Sequence, residues 1–388
     1  MEETSYTVKL LPPGTRIGPY VIVRQVPGGI GGMAIVYQAK LRSMASSVAL
    51  KVAHAGLGGF LKDETAFLQA LKLNHPHIIR ILPTPLSGGT SDYIVKDPEA
   101  GCWYFAMEFM AGGSLEDWLQ RRKRLTLTQA VDVMRQVGTA LDAAHRAGIV
   151  HLDVKPSNML FRERPDKGRR YVVLTDFGIA RPRGRTASGQ TTLTVEYASP
   201  EQVRLAQGET IAVGPLSDLY SLGVILYEMI SGHLPFQAQN DLAMMYQIVY
   251  ESPPVPMPHG PPQLNPIIQR VLAKDPEARY PSAAALVADL EALPREVYEA
   301  DLTQHRVHPL LSLGLGILIG LGLGVPVGYH LAYQQVGRSS SATVVVTATP
   351  IPMTEVVATD TPGVIHPLTT AQPTRIPTST PVTTTSIE

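Results

Sequence analysis

The chain has 388 residues, 17% of them charged, and its 33 basic side chains cancel its 33 acidic ones. That length can bury more than one sizeable core, while zero net charge excludes a global field steering the chain to nucleic acid or anionic lipid. The single cysteine, Cys102, excludes a disulfide framework and reads as a small buried hydrophobe in a reducing compartment.

The opening MEETSYTVKLLPPG is acidic and has no long apolar core, which is not the pattern of a signal peptide. From Tyr20, YVIVRQV, PGGIGGMAIVYQAKL and SSVALKVA place β-branched residues on both sides of a glycine cluster, so the spacing predicts strand, glycine turn, strand, turn, strand. Gly29-Ile30-Gly31-Gly32-Met33-Ala34-Ile35-Val36 fits G-x-G-x-x-[G/A]-x-V. Such a turn aims amide N–H groups at phosphate oxygens, although a flexible hairpin would read the same way. Lys51 closes VALK on the third predicted strand, where its ammonium either snorkels to solvent or sits over a phosphate chain.

The stretch 60–78 has helical apolar spacing, with Glu64 near its start as a partner for Lys51 and Asp63 as the alternative. Residues 103–119, WYFAMEFMAGGSLEDWL, predict a strand that breaks at Glu108-Phe109-Met110 into a Gly-Gly turn and a helix; free backbone groups at that break suit an adenine edge. An amphipathic helix then ends near Gly148, and Ile149-Val150 is expected as a short strand. HLDVKPSN follows at 151–158, and 18 residues beyond Asn158 comes Asp176-Phe177-Gly178 at the end of another predicted strand. Two loops after strands can bring Asp153, Asn158 and Asp176 together. Those oxygen donors suit Mg²⁺ at Asn158 and Asp176 and a proton acceptor at Asp153, while the Lys155 ammonium suits a γ-phosphate contact.

The ordered set GIGGMAIV, VALK, HLDVKPSN, DFG and YASPE, with DLYSLGVILYEM and KDPEARYPS, resembles the Ser/Thr protein kinases, and more narrowly the bacterial Hanks-type receptor-like kinases with one membrane span. The resemblance covers about residues 16–293. It implies an α+β fold of two lobes, an antiparallel sheet plus one main helix before Glu108 and a mostly helical lobe after Ala111. It implies ATP with Mg²⁺ or Mn²⁺, and protein Ser/Thr hydroxyls as acceptors. Gly29, Gly31, Gly32, Ala34 and Val36 would then shape the phosphate-covering loop, Glu108 and Met110 would meet the adenine, Lys51 would pair with Glu64, and Asp153 would be the catalytic base assisted by Lys155. Asp218 would brace the catalytic loop, Glu201 would pair with Arg279, and Leu68, His151 and Phe177 would stack in an apolar spine. Leu152 departs from the pattern, since the family usually has Arg there to pair with a phosphorylated activation segment. Weak dependence on Thr186, Thr191 and Thr192 is therefore expected, with Arg181, Arg183 and Arg185 as substitute anchors. Leu152 also raises two rival readings: a nucleotide-binding pseudokinase, and a tethered scaffold.

Past a linker at 294–308, PLLSLGLGILIGLGLGVPVGY (309–329) has no charge and matches the ~20 residues of a membrane-spanning helix. Arg295, His305, Arg306 and His308 precede it and Arg338 follows, which places the N-terminal part in the cytoplasm. Gly316, Gly320, Gly324 and Gly328 recur every fourth residue, a face on which two spans can pair into a homodimer. In the segment 330–388, Thr, Pro and Ser make up 26 of the last 50 residues, so it reads as a disordered extracytoplasmic tail.

Overall fold

The computed structural model describes residues 10–31, 34–41, 47–54, 58–59, 61–62, 75–86, 90–163, 170–177 and 194–302. The expectations for Gly32, Asp63, Glu64, Leu68, the activation-segment residues 178–193, the span 309–329 and the tail lie outside these residues.

The first half is an antiparallel sheet of seven strands. Its strands are β1 (Arg16–Ile17), β2 (Tyr20–Ile30), β3 (Ala34–Leu41), β4 (Ser47–Ala53), β5 (Ile81–Leu82), β8 (Ile94–Lys96) and β9 (Trp103–Glu108). The order is β1-β2-β3-β4-β9-β5, with β8 also paired to β9. The pair β6 (Thr84–Pro85) and β7 (Ser91–Asp92) stands apart. Two-residue alternation sorts the side chains of β4. Val48, Leu50 and Val52 enter one apolar cluster with Tyr20, Tyr37 and Tyr104. Ala49 and Ala53 enter the cluster on the other face with Ala34, Phe105 and Met107. Lys51 shares the alanine face, and the small neighbours leave room for its side chain.

The second half is helical. Helices α1 (Leu115–Arg122), α2 (Leu127–Arg146), α3 (Pro200–Ala206), α4 (Pro215–Ser231), α5 (Asp241–Tyr250), α6 (Asn265–Val271) and α7 (Ala283–Glu291) surround one core that also takes in the two-stranded ribbon of β10 (Met159–Phe161) and β11 (Val172–Leu174). Capping boxes start three of them: Ser114 with Asp117, Thr126 with Gln129, and Ser199 with Gln202. Nearly every residue of α4 from Ser217 to Ser231 is buried, as a helix apolar on all faces must be. It is the post around which the lobe packs. Gly148, at φ +79°, ends the turn after α2, a conformation that glycine adopts without strain. A further helical segment, 295–302, docks on the same core: Val297 is buried, and Asp301 accepts the Leu127 N–H at the start of α2 at 2.7 Å.

Three details differ from the sequence reading. A two-residue strand precedes the others, so Lys51 lies on the fourth strand. Ile149-Val150 is not a strand, because the backbone N–H groups that follow are taken by a side chain of α4 instead of a neighbouring strand. Cys102 is only partly buried, against the edge of the Tyr20–Tyr104 cluster. Among the described residues no helix is long and apolar enough to cross a membrane.

Candidate active site

Between the sheet and the helical half lies a cleft of about 680 Å³, within the roughly 300–1,000 Å³ of ordinary ligand pockets. Its roof is the β2–β3 hairpin. Gly28 has φ +71°, and a Cβ on Gly29 would lie 2.9 Å from the Val26 carbonyl and 3.1 Å from Val36 Cβ, so the turn closes only with glycine there. The Gly31 N–H donates to the Ala34 carbonyl at 2.9 Å, and His54 Nε2 lies 2.8 Å from the Gly31 carbonyl. Ala34 and Val36 present their side chains to the cleft.

Lys51 faces Val36 on one side and Phe105 on the other in the strand register. Its Nζ donates to Asp176 Oδ1 at 2.8 Å, with the lysine side chain 14% exposed. Asp176 has φ +56°, which turns its carboxylate out of the strand path and into the cleft. Enclosure pushes that carboxyl pKa up, but Lys51, His151 and Lys155 outweigh it and leave the group below its ordinary value, hence ionised.

At the back of the cleft the chain passes between the halves through Glu108, Phe109 and Met110. The Glu108 carboxylate accepts the Arg80 N–H at 3.2 Å and pairs with Arg162 at 3.3 Å, so this side chain links the two lobes, while the Glu108 N–H donates to the Arg80 carbonyl at 3.1 Å. Gly112 N–H donates to Phe161 O at 2.9 Å and Phe161 N–H to Gly113 O at 2.8 Å, stitching the linker to β10.

The catalytic-loop region is held from below by α4. Asp218 Oδ2 accepts the His151 N–H at 2.8 Å, Oδ1 accepts the Leu152 N–H at 2.7 Å, and His145 Nε2 lies 2.8 Å from Oδ2. Gln202 Nε2 donates to the Leu152 carbonyl at 2.9 Å. These bonds hold Leu152 at φ +60°, a costly conformation for a branched residue. His151 is fully buried, which lowers its pKa. Its Nδ1 accepts the Asp153 N–H at 3.2 Å, so Nε2 carries the proton and donates to Thr175 O at 3.0 Å. Its ring lies 4.6 Å from that of Phe177.

Asp153 stands at the centre. Its Oδ2 receives Lys155 Nζ at 3.0 Å and Asn158 Nδ2 at 3.2 Å. Lys155 Nζ also donates to Thr194 Oγ1 at 2.9 Å. Asn158 gives its other amide proton to the Asp153 carbonyl at 2.8 Å, which leaves Oδ1 as the atom able to meet a cation. Among the described residues no group of three or more His, Cys, Asp or Glu is placed to hold a metal ion. One amide oxygen and one carboxylate beside a phosphate-shaped roof are nevertheless the donor set of Mg²⁺, which takes few protein ligands and completes its shell with water and substrate phosphates. Asn158 and Asp176 therefore fit the ion.

Every sequence-predicted site residue among those described lines this one cleft: Gly29, Gly31, Ala34, Val36, Lys51, Glu108, Met110, Asp153, Lys155, Asn158 and Asp176. Gly32 and Glu64 lie outside the described residues. Sequence reasoning missed Gln202 and His145, which position the loop, and the apolar lining from Ala49, Ile79, Met107 and Leu160. The alanine was visible inside VALK, whereas the others are plain core or helix residues whose neighbours only the fold supplies. Away from the cleft, Arg279 meets Glu201 through two bonds of 2.8 Å in a fully buried pair.

A family model described as "Protein kinase domain" matches residues 20–289. A probable serine/threonine-protein kinase of Streptomyces coelicolor is 35% identical over 278 residues, covering 68% of this chain and 38% of that protein. Serine/threonine-protein kinase pkn3 of Myxococcus xanthus is 34% identical, covering 72% of this chain and 51% of its own length. Serine/threonine-protein kinase PknB of Mycolicibacterium smegmatis is 34% identical, covering 68% and 41%. The chain thus spans about half or less of the curated relatives it matches. A crystal structure of the Mycobacterium tuberculosis PknI kinase domain superposes with a TM-score of 0.52 at 23% identity over 73% of this chain and 98% of that one, a likeness of fold.

Proposed function

Since this chain belongs to the protein kinase family, we propose that it is an ATP-dependent serine/threonine kinase acting on proteins. The observation that carries this reading is the convergence of Lys51, Asp153, Lys155, Asn158 and Asp176 on one cleft beneath a glycine-rich turn. ATP would lie with its adenine against Ala49, Met107 and the 108–110 backbone and its phosphates under residues 28–36. Asn158 and Asp176 would hold Mg²⁺ or Mn²⁺, which would supply neutralisation of phosphate charge.

Asp153 accepts the proton of the incoming Ser or Thr hydroxyl, whose oxygen bonds to the γ-phosphorus as the bond to the β–γ bridging oxygen breaks. The products are phosphoserine or phosphothreonine and ADP. Lys155 neutralises charge on the γ-phosphoryl oxygens, and Lys51 anchors the rest of the chain of phosphates. Thr194 hydrogen-bonds Lys155 and lies 3.5 Å from Asp153, so the segment that receives the acceptor is tied to the base. Catalysis on this scheme is positioning and preorganised charge.

We further propose that residues 309–329 cross a membrane once, that the kinase domain is cytoplasmic and the Thr/Pro/Ser-rich tail extracytoplasmic, and that the Gly316–Gly328 face pairs two copies. Support comes from the length and apolarity of the segment, the basic residues before it and the four-residue glycine spacing. The protein would then be a membrane-anchored signalling kinase.

The test of the activity is transfer of label from γ-³²P-ATP to protein, followed by acid hydrolysis and separation of phosphoamino acids. Labelled phosphoserine or phosphothreonine, abolished in Asp153→Asn and Lys51→Met, is expected. Nucleotide binding without transfer would move the chain to the pseudokinase reading, and wild-type behaviour of Lys51→Met in cells to the scaffold reading.

A further inference from the structure

The hairpin that roofs the cleft is glycine-rich, and a glycine-rich segment loses more conformational freedom on ordering than any other. Something must hold its tip in place if it is to meet phosphates without a large ordering cost. The Gly31–Ala34 bond ties the Gly31 N–H to the first residue of β3 but leaves the Gly31 carbonyl to be held by something else.

The register of β3 and β4 shows what holds it. Ala34 lies opposite Ala53, so the next residue along, His54, comes beside Gly31. Its Nε2 lies 2.8 Å from the Gly31 carbonyl oxygen. A carbonyl oxygen has no proton, so the imidazole donates and Nε2 is protonated. His54 stands three residues beyond Lys51 on one continuous segment. The residue that follows the strand carrying Lys51 is therefore the brace for the glycine loop.

We propose that His54 is a positioning residue that fixes the tip of the glycine loop over the triphosphate of ATP; this rests on the kinase reading given above. It need not touch the nucleotide. It acts through the Gly31 carbonyl, removing loop freedom before ATP arrives, which is affinity gained by preorganisation. One neutral hydrogen bond lost at this point should weaken ATP binding by about five-fold.

The experiment measures the Mg·ATP dissociation constant by calorimetry, and KM and kcat for ATP in protein phosphorylation, for wild type, His54→Ala and His54→Gln. Glutamine carries an N–H donor at the reach of Nε2 and keeps the comparison valid even where alanine loosens the sheet edge. The expected result is a dissociation constant and KM raised about five-fold in His54→Ala with kcat within about two-fold, and recovery in His54→Gln. The proposal is overturned if His54→Ala binds ATP like wild type, if His54→Gln is as weak as His54→Ala, or if only kcat falls. It is overturned as well if the wild type binds no ATP. Should the wild type bind ATP yet transfer nothing, the kinase reading fails while the calorimetry still decides the role of His54.

Discussion

Glu201 and Arg279 are 78 residues apart in sequence and joined by two 2.8 Å bonds, with their side chains 2% and 0% exposed. Removing one partner strands the other charge without water, so Glu201→Gln should lower unfolding free energy by about 3 kcal/mol in urea titrations. Burial raises the Glu201 pKa, but the Arg279 bonds and charge and the Ser217 hydroxyl outweigh it and leave it depressed. The carboxylate's contribution is therefore present above the ordinary value of 4.5 and lost as pH falls below it toward the folded value. The gap between wild type and Glu201→Gln should be full at pH 7 and shrink progressively below about pH 4.5. A gap that widened in acid would contradict the assignment. Among single residues, the chemical ones were legible in the sequence because carboxylate, lysine and amide at fixed spacing carry their own reason. The positive φ of Leu152 and Asp176 was not, since no side-chain pattern announces a backbone held out of its preferred region by Asp218 and Gln202.

At the scale of elements, the catalytic loop is braced from two helices, α4 through Asp218 and α3 through Gln202. Neither brace needs a phosphate. Leu152 supplies no cation where a phosphorylated activation segment would anchor, so the loop is held instead through its backbone, by the Asp218 carboxylate and the Gln202 amide. Changing Thr186, Thr191 and Thr192 together to Ala should leave kcat within about ten-fold of wild type in the transfer assay, and near-complete loss would show that a phosphate anchor is required after all. The strands and the long helices followed from alternation, capping boxes and the Gly148 stop. The expectation of a strand at Ile149-Val150 failed for a physical reason: β-branched residues signal extended backbone, but α4 and not a strand satisfies the amides that follow.

For the whole molecule, the two halves are joined among the described residues at several points: His77 and Ile79 bond the backbone of β11, with Ile79 N–H donating to Leu174 O and Leu174 N–H to His77 O, both at 2.9 Å. Glu108 links Arg80 of one half to Arg162 of the other, and Lys51 reaches across the cleft to Asp176. The helical segment 295–302 leaves the domain docked by Asp301 and Val297, so the chain runs toward the proposed span from a fixed point. If residues 309–329 cross the membrane, deleting them should move the protein from the membrane pellet to the soluble fraction while transfer activity persists. Gly320→Leu with Gly324→Leu should reduce self-association in a membrane reporter, and an unchanged signal would count against pairing through that face. The two-lobed architecture was readable because seven motifs occur in one order. The docking of 295–302 was not, because a short helix rich in charge looks like linker until its two inward residues find a surface.

The central claim is that Asp153 acts on the acceptor hydroxyl while other residues hold the nucleotide. Single-turnover transfer and Mg·ATP affinity, measured on the same preparations of wild type and Asp153→Asn, test it most directly. The account predicts a transfer rate at least about 100-fold lower in Asp153→Asn with ATP affinity within about three-fold of wild type. Equal transfer rates in the two proteins, or a loss of transfer explained entirely by lost ATP binding, would contradict it.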